Sequence, residues 1–316
     1  MQQANPRKII FIVGCPRSGT TLLQQMLDAH PDIAIAPETH FMQLFWGRRN
    51  QYGDLAGDKN YKQLIENITA LPEFLEMELD VQDFTESAWN ISRNYSAVFS
   101  LILEKFADKR QANIIGEKTP NHVLYLPEIQ TFFPEACFIN LVRDPRAVVN
   151  SWRSVPWSSG SVLKDAEHWR FHISAAWRKP PTGKDKIFTI NYEQLVLSPE
   201  ESLRSLCDFM NLEFNSAMLN YYKKGSKLVN VKREPWKKGA VKPVSQQSLT
   251  KWQSELSSKE ITEIEGITWF EMNRLGYNPQ TNVIRLLLIS TMIAAKRKFK
   301  SLTASVKSRV LKLAKP

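Results

Sequence analysis

The order of hydrophobic and polar positions divides much of the chain into short apolar runs, most of them followed by an amphipathic stretch. Apolar runs bounded by turn residues predict short buried strands, here at residues 8–13, 33–36, 114–116, 137–142 and 186–190. Apolar residues at helical spacing predict helices at residues 20–29, from about 121, at 145–155, 160–178 and 200–210. Strands that alternate with helices predict an α/β fold whose central sheet is mainly parallel.

Two segments fall outside this alternation. Residues 40–110 are rich in aromatic side chains and predict a mainly helical region, so we expect a helical insert at about 45–110. Residues 281–316 have a different, strongly basic composition. We therefore expect one domain over residues 1–280, with the insert inside it, and a C-terminal tail over residues 281–316.

The positive charge of the protein is concentrated in this tail. The formal net charge is +10, but residues 281–316 contain nine Lys and Arg residues and no Asp or Glu. The rest of the chain carries a net charge of only +1. A nucleic-acid partner is therefore not expected, because the body of the protein lacks the basic excess that such binding requires.

Apolar residues of the tail recur at spacings of three and four, which predicts one apolar side on a basic helix. They are Phe299, Leu302, Val306, Val310 and Leu313. A basic amphipathic helix is suited to an anionic membrane surface. Two alternatives stay open at this point: the tail docks on such a membrane, or it packs on the protein itself.

The start of the chain bears on its location. It opens with the polar residues MQQANPRK, and the apolar run that follows is too short for a secretory signal or a membrane span. We therefore expect a cytoplasmic protein, which is peripheral on the cytoplasmic face of the membrane if the tail docks there.

The segment GCPRSGTT, from Gly14 to Thr21, lies between the first predicted strand and the first predicted helix. Backbone N–H groups at a helix N-terminus carry partial positive charge and bind anions such as phosphate or sulfate. Glycines permit the tight turn, Arg17 adds a forked cation, and the hydroxyls of Thr20 and Thr21 add donors. The segment therefore predicts a phosphate-binding loop in a P-loop-like fold of three layers.

The loop differs from the Walker A sequence at one position. In G-x-x-x-x-G-K-[ST] the lysine reaches the β- and γ-phosphates of a nucleoside triphosphate. Thr20 takes the place of that lysine here. A P-loop kinase or another nucleotide-dependent enzyme is therefore disfavoured and is kept as an alternative.

A second basic motif, RDPR at residues 143–146, follows the fourth predicted strand, and Ser151 comes eight residues after Arg143. Open α/β sheets bind ligands beyond the carboxyl ends of their strands. Arg143 and Ser151 are therefore candidates for holding a phosphate group. The alternative is a structural salt bridge between Asp144 and Arg146 at the start of the next helix.

Several segments resemble the sulfotransferase family. PRSGTTLLQQMLDAHPDI followed by PETHF resembles its 5′-phosphosulfate loop, and FINLVRDPRAVVNSW resembles its 3′-phosphate motif. YEQL at residues 192–195 and LTKW at residues 249–252 resemble later nucleotide-contacting segments. The resemblance covers residues 8–277 discontinuously, and it is closest in character to tyrosylprotein sulfotransferases and their bacterial relatives.

The resemblance implies 3′-phosphoadenosine 5′-phosphosulfate as the co-substrate. The residues implied to hold its 5′-phosphosulfate are Arg17, Ser18, Gly19, Thr20 and Thr21. Arg143 and Ser151 are implied to hold its 3′-phosphate, and Tyr192 and Lys251 to make further contacts with the nucleotide. No clustered carboxylates indicate a metal site, so we expect a metal-independent reaction.

Three residues join Arg17 as candidates for the chemistry. Glu38 matches the glutamate that tyrosylprotein sulfotransferases use as base, and a suitably placed carboxylate can accept a proton. His40 is the rival base. We expect the two side chains on the same side if residues 38–40 continue as a strand, and apart if His40 begins a helix. The resemblance places Lys118 near the bridging oxygen between phosphate and sulfate, where it would stabilise leaving-group charge with Arg17.

The sequence thus predicts a sulfotransferase that moves a sulfuryl group to an acceptor hydroxyl by in-line displacement. REPWKKGA at residues 233–240 departs from the tyrosylprotein enzymes, because Trp236 stands where they carry a small hydroxyl residue. We therefore expect a glycan, lipid-linked or small-molecule acceptor before a protein tyrosine. The alternatives are a P-loop kinase or other nucleotide-dependent enzyme, and a non-catalytic, membrane-peripheral nucleotide-binding protein.

Overall fold

The computed structural model describes residues 7–183, 186–224, 229 and 231–293. The strands are β1 (Lys8–Gly14), β2 (Ile33–Ala36), β3 (Ile114–Lys118), β4 (Cys137–Val142) and β5 (Ile187–Asn191). They form a five-stranded sheet of order β2-β3-β1-β4-β5, in which every described pairing is parallel. The predicted α/β fold with a central parallel sheet and flanking helices is confirmed.

Helices connect and cover these strands. In chain order, α1 to α14 are Thr20–Asp28, Phe41–Leu44, Arg49–Tyr52, Asp58–Thr69, Pro72–Glu76, Val81–Trp89, Tyr95–Arg110, Leu126–Phe132, Pro145–Trp152, Val162–Arg178, Tyr192–Leu197, Pro199–Phe209, Gln247–Glu255 and Ser258–Arg274. Tighter 3-10 turns lie at Trp46–Arg48, Pro120–Tyr125, Ser216–Lys224 and Pro235–Val241. Residues 283–293 are also helical. None of the described helices has the length and apolar character that crossing a bilayer requires.

Strand β3 is longer than its apolar pattern predicts. The pattern ends at residue 116, but the strand continues through Glu117 and Lys118, both of which are almost completely buried. Buried charges are tolerated only when other groups satisfy them. Two of their partners, Glu38 and Thr39, come from a distant part of the chain, and a local apolar pattern does not reveal them.

The segment between β2 and β3 is helical, as predicted, and contains α2 to α7. It shares an aromatic core with the sheet. Phe41 of α2 stacks on Phe99 of α7 with ring centroids 4.3 Å apart, and Phe99 lies 6.0 Å from Phe11 of β1. Packed aromatic pairs of this kind add about 0.5–1.5 kcal/mol beyond their burial. The first turn after β2 is therefore held against the central strand.

The chain divides into two compact units. The first contains residues up to Arg143 and His172–Gln247, and the whole sheet belongs to it. The second contains Asp144–Phe171 and the residues from Ser248 onwards. The second unit has an apolar core of its own, which includes Ala147, Val149, Ala166, Trp252, Leu256, Ile261, Ile264 and Ile267.

The apolar residues on which the expected tail helix depends lie after residue 293, where the described residues end. Phe299, Leu302, Val306, Val310 and Leu313 lie outside the described residues. The division of the chain at residue 280, the basic amphipathic helix and the cytoplasmic location therefore stay predictions.

Candidate active site

The strands of the first unit deliver chemically active residues to one edge of the sheet. Because all pairings are parallel, the carboxyl ends of the five strands meet at that edge. The predicted loop follows β1, Glu38 comes two residues after β2, and Lys118 ends β3. Arg143 follows β4 and Tyr192 follows β5. One edge thus gathers residues that lie far apart in the sequence.

Both glycines of the loop are required by close approach. Gly14 has a φ of +148°, and a Cβ added to it would lie 2.4 Å from the carbonyl oxygen of Leu141 in β4. Gly19, with a φ of +97°, directly precedes α1, and its Cβ would lie 2.3 Å from the ring of Tyr192. The loop therefore turns tightly against the sheet, and the N-terminus of α1 faces the strand edge, as anion binding requires.

Arg17 lies in the middle of the loop with a φ of +73°, a left-handed conformation that is uncommon outside glycine. Its Nη2 donates a hydrogen bond of 3.1 Å to the carbonyl oxygen of Trp236, and its own carbonyl accepts one of 3.1 Å from Arg143. Burial and the positive charge of Arg143 lower the pKa of Arg17 to about 10, so it stays cationic at neutral pH. Two neighbouring guanidinium groups create a field that favours an anion.

A cavity of about 150 Å³ opens beside the loop. Three cations line it, from Arg17, Arg143 and Lys237, together with the loop residues Thr20 and Thr21. The Arg143 guanidinium is held over the ring of Tyr192, 4.3 Å from its centroid. This lining suits an anionic ligand that carries phosphate or sulfate groups.

Ser18 is a buried residue of the loop. Its side chain is completely buried, and within the described part of the chain its Oγ makes no hydrogen bond. A buried hydroxyl without a partner is rare in a folded protein and calls for an explanation such as a missing ligand. Ser18 therefore adds a second observation that fits an anion held by this loop.

Glu38 forms the centre of a charged cluster next to the cavity. Its Oε1 is paired with the Lys118 ammonium, and Lys237 Nζ donates to the same oxygen at 2.9 Å. Oε2 of Glu38 lies 3.6 Å from Nε2 of His40. Lys118 Nζ also lies 3.4 Å from the Thr21 hydroxyl, which connects the cluster to the loop.

The cluster sets the ionisation of Glu38. Burial alone raises the pKa of its carboxyl, but Lys118, Lys237 and His40 together hold it well below the usual range of a glutamate. Burial lowers the pKa of Lys237, whereas Glu38 and Glu234 raise it to a net value above that of an ordinary lysine. Glu38 is therefore a carboxylate at neutral pH, facing more than one cation.

His40 directly precedes a helix, and its side chain lies beside Glu38. Residues 38–40 neither continue the strand nor belong to the helix, so neither of the two expected arrangements applies. His40 has a φ of +49° and directly precedes α2. The left-handed turn redirects the chain before the helix starts, so the imidazole returns towards the carboxylate. The side chains of the two candidate bases therefore lie next to each other.

A buried network fixes the segment that carries them. Glu117 Oε1 accepts hydrogen bonds from the backbone N–H and the hydroxyl of Thr39, at 3.1 and 2.9 Å, and from Thr119 Oγ1 at 2.5 Å. The other carboxyl oxygen lies 2.9 Å from Nδ1 of His122. Burial raises the pKa of Glu117, but His122 and these hydrogen bonds lower it overall. A buried anion therefore anchors the residue between Glu38 and His40.

Sequence reasoning missed Lys237 and Glu117. Lys237 meets Glu38 across 199 residues of sequence and belongs to the turn Pro235–Val241. Trp236, the residue before Lys237, departs from the family pattern, and this departure is the feature of the sequence that points to the turn. Glu117 stands directly before Lys118, but nothing in the local pattern shows that it is buried.

Ser151 and Lys251 belong to the second unit. Ser151 lies in the last turn of α9, where its carbonyl accepts a hydrogen bond of 2.8 Å from the Ser154 hydroxyl. Lys251 is exposed on α13 and pairs with Glu255 at 3.3 Å. Their assignment to the nucleotide stays a prediction.

The RDPR motif contains both the candidate phosphate ligand and the structural salt bridge that the sequence analysis gave as alternatives. Arg143 lines the cavity, whereas Arg146 is buried in the second unit against Asp144 and Glu265. Asp144 also caps α9, because its Oδ1 accepts the backbone N–H of Arg146 at 2.8 Å. The structural salt bridge and the candidate phosphate ligand are thus two different arginines of one motif.

A metal centre has no support in the described ranges, which hold no group of three or more His, Cys, Asp or Glu side chains placed to bind an ion. Metal independence of the reaction stays a prediction.

Comparison with known proteins decides the family. Residues 9–216 match the sequence profile described as "Sulfotransferase family". The chain belongs to the sulfotransferase family. The matched residues include β1 from Ile9 onwards, the loop, Glu38, Lys118, Arg143 and Tyr192. The turn at residues 235–241, which carries Lys237, lies outside the match.

Curated relatives of this sulfotransferase are named protein-tyrosine sulfotransferases. It is 30% identical to "Protein-tyrosine sulfotransferase 1" of Danio rerio over 283 residues, which cover 87% of this chain and 73% of that protein. It is 28% identical to "Protein-tyrosine sulfotransferase" of Drosophila melanogaster over 286 residues. The alignment covers 87% of this chain and about half, 52%, of the Drosophila protein.

A solved structure shares the fold. The sulfotransferase domain from the Synechococcus PCC 7002 olefin synthase superposes with a TM-score of 0.58 at 22% sequence identity. The match covers 84% of this chain and 96% of that domain. The predicted membership of the sulfotransferase family is confirmed, and with it the P-loop-like α/β fold.

Proposed function

We propose that this sulfotransferase uses 3′-phosphoadenosine 5′-phosphosulfate as its sulfuryl donor. The observation that carries the proposal is the shared edge, where a phosphate-binding loop, three cavity cations and one ionised carboxylate lie together. Arg17, Ser18, Gly19, Thr20 and Thr21 would hold the 5′-phosphosulfate. Arg143 is proposed to hold the 3′-phosphate on the motif resemblance, and it lines the same cavity as Arg17.

Further residues are proposed to contact the rest of the nucleotide. Arg143 and Tyr192 form a stacked pair in the cavity wall of the first unit. Ser151 and Lys251 of the second unit are proposed on the motif resemblance described above. The donor supplies the sulfuryl group, and the protein supplies position and charge.

The transfer forms a bond between sulfur and the acceptor oxygen while the bond between sulfur and the phosphate oxygen breaks. Glu38 is the proposed base and takes the proton of the acceptor hydroxyl; His40 is the alternative at the same position. Lys118 and Arg17 stabilise the negative charge that the departing phosphate gains. When the donor's anionic groups attract Lys118, Glu38 loses part of the positive charge around it and becomes a stronger base.

Lys237 belongs to this machinery as well. It touches Glu38 at 2.9 Å and also lines the cavity, so it lies between the base and the anion-binding groups. Its second partner, Glu234 at 2.7 Å, fixes its direction from within the same turn. We assign Lys237 a share in balancing charge at the reacting centre.

The acceptor is a hydroxyl-bearing compound, and we propose a glycan, a lipid-linked compound or a small molecule. Protein tyrosine is the second candidate. The relatives named protein-tyrosine sulfotransferases support a tyrosine acceptor, whereas Trp236 in the sequence argues against one. A screen with labelled sulfate donor against tyrosine peptides and against glycan and lipid hydroxyls separates the two classes.

Calorimetric titration tests the donor proposal. The protein is titrated without metal with adenosine 3′,5′-bisphosphate, and separately with ATP. We expect bisphosphate to bind more tightly, and Arg143→Ala to weaken it by about 10- to 100-fold, the value of one charged hydrogen-bonding group. Arg204→Ala, which removes an exposed arginine of a surface ion pair, is the matched control.

Preference for ATP would instead favour the kinase alternative. Failure of both nucleotides to bind would remove the proposed donor. Nucleotide binding without transfer to any hydroxyl in the acceptor screen would favour the non-catalytic alternative.

A further inference from the structure

The helix at residues 283–293 of the second unit is apolar on two sides. One side packs inward: Leu286 is completely buried, and Ser290 nearly so. Ile289 is pressed against Gly266 of α14, where an added Cβ would lie 2.5 Å from its Cγ2. This side attaches the helix to its own unit, so its orientation there is fixed by packing.

The other side of the same helix faces solvent and is also apolar. Ile284, Leu287, Leu288 and Met292 are 70%, 44%, 62% and 62% exposed, and we call these four residues the apolar stripe. Their spacing places them along one side of a helix. Single exposed leucines are ordinary on protein surfaces, but a contiguous apolar face marks an interaction surface.

Charge indicates what covers this stripe. Arg285 is exposed within the stripe's own helix, and residues 294–316, which follow it directly, contain eight Lys and Arg residues and no Asp or Glu. A second copy of the chain would bring two strongly basic segments together, and nucleic acid would leave the apolar side chains in water. An anionic lipid surface satisfies both the apolar and the basic groups.

We propose that the apolar stripe and the basic residues after it dock this protein on an anionic membrane surface. The stripe enters the boundary between headgroups and acyl chains, while the Lys and Arg side chains contact the headgroups. This docking places the enzyme at lipid or lipid-linked material. It is independent of the proposed sulfuryl donor, because none of its residues belongs to the cavity.

Co-sedimentation of the full chain with lipid vesicles tests the proposal. The probes are vesicles of phosphatidylcholine alone and vesicles that also contain phosphatidylglycerol. We expect the protein to sediment with the anionic vesicles at low salt and to be released as salt rises. Ile284→Ser/Leu288→Ser should weaken this binding by at least about tenfold, because two exposed side chains lose their apolar contact.

The matched control is Leu75→Ser/Leu197→Ser, which removes two leucines of similar exposure, 57% and 56%, from the first unit. It should sediment like the unaltered protein. Lys296→Gln/Arg297→Gln/Lys298→Gln should weaken binding by roughly fivefold per charge. Thermal unfolding and bisphosphate titration show that each variant is folded.

Absence of sedimentation with anionic vesicles would overturn the proposal, as would equal sedimentation of the stripe variant and the control. A dimer seen by light scattering that the stripe variant converts to monomer, without vesicle binding, would assign the stripe to a second copy instead.

Discussion

Two charged clusters, one in each unit, show what separates a structural ion pair from an active site. In the second unit, the guanidinium of Arg146 is paired with both Asp144 and Glu265, and it lies 4.2 Å from the centroid of the Trp252 ring. Glu265 also accepts the backbone N–H groups of Gln280 and Thr281, each at 2.8 Å. Each charged group of that cluster is paired or hydrogen-bonded with other groups of the protein.

The cluster around Glu38 is built differently. One carboxylate faces two lysines and a histidine, the side chains of Glu38 and His40 are 17% and 33% exposed, and a cavity with two arginines adjoins it. Lys118, Lys237, Arg17 and Arg143 outnumber the two carboxylates, Glu38 and Glu234, so positive charge is in excess. The excess is costly for the protein alone but suits an anionic ligand, so the imbalance itself identifies the functional site.

The largest effect on stability is expected in the Arg146 cluster of the second unit, where the charges of Arg146, Asp144 and Glu265 are paired. Glu265→Ala leaves the buried charge of Arg146 partly unanswered and removes acceptors from two backbone N–H groups. Breaking a buried pair in this way costs about 3–5 kcal/mol in the free energy of unfolding. Chemical denaturation measures it, with Glu135→Ala, from the exposed pair with Lys186, as a control expected to change little. Equal losses in both variants would contradict the comparison.

The largest effect on turnover is expected in the cluster around Glu38. Glu38→Gln removes the proposed base, and kcat should fall by about 100- to 10,000-fold. Bisphosphate affinity should stay within a few-fold of the unaltered protein, because the cavity cations remain. Steady-state kinetics and calorimetry separate the two effects. Unaltered turnover in this variant would transfer the role of base to His40.

The pH dependence sharpens the same assignment. The pKa of Glu38 in the folded protein is depressed, so its stabilising charge is present above the ordinary glutamate pKa of about 4.3 and is lost as pH falls through the lower folded value. The difference in unfolding free energy between the protein and Glu38→Gln should therefore be constant from pH 8 to about 5 and shrink below about 4.

The profile of kcat/KM gives a second view of this ionisation, because it reports the free enzyme. A Glu38 base keeps kcat/KM level as the solution is made mildly acidic. A decline between about pH 7 and 6 would indicate an imidazole base instead, since imidazoles titrate near neutral pH.

Lys237→Met should have an intermediate effect. It removes one of the two lysines on Glu38 and one of the cavity cations, so kcat/KM should fall by roughly tenfold. The pKa of Glu38 should rise, which moves the acid limb of the kcat/KM profile upwards. Lys238→Met, an exposed neighbour in the same turn, is the matched control. Identical behaviour of the two variants would exclude Lys237 from the site.

The smallest effect is expected at the stacked pair. Tyr192→Leu removes the ring below the Arg143 guanidinium, and a contact of this kind contributes about 1 kcal/mol, or roughly fivefold in bisphosphate affinity. Tyr192→Phe keeps the ring and should bind nearly as well as the unaltered protein. Equal losses in both variants would mean that the hydroxyl, rather than the ring, is what matters.

The parts of the fold and site that the sequence predicted are those encoded locally. The strand, loop and helix from Lys8 to Asp28 are contiguous, and their apolar period and turn residues suffice to place Arg17. Arg143 and Tyr192 likewise follow directly on their strands. A parallel sheet then brings such positions to one edge, so motif and topology together predicted the edge at which these residues lie.

The remaining parts depend on contacts between distant segments. Lys237 reaches Glu38 from the far side of the sequence, and Glu265 completes the Arg146 pair across 119 residues. The return of His40 towards Glu38 depends on one left-handed residue that no apolar pattern specifies. Long-range charge pairing leaves no periodic trace, and reasoning from a single sequence therefore misses it.

The strand order has a consequence for how this enzyme is made. The central strand β1 is synthesised first, yet it is paired with β3, where Lys8 faces Ile114, and with β4, where Ile10 faces Cys137. Neither neighbour exists when β1 leaves the ribosome, and pairings of such high sequence separation form slowly. Both neighbours of β1 exist only once β4 has been made, and β5 and Lys237 follow later still in the sequence. The anion-binding edge is therefore completed late in the synthesis of the first unit.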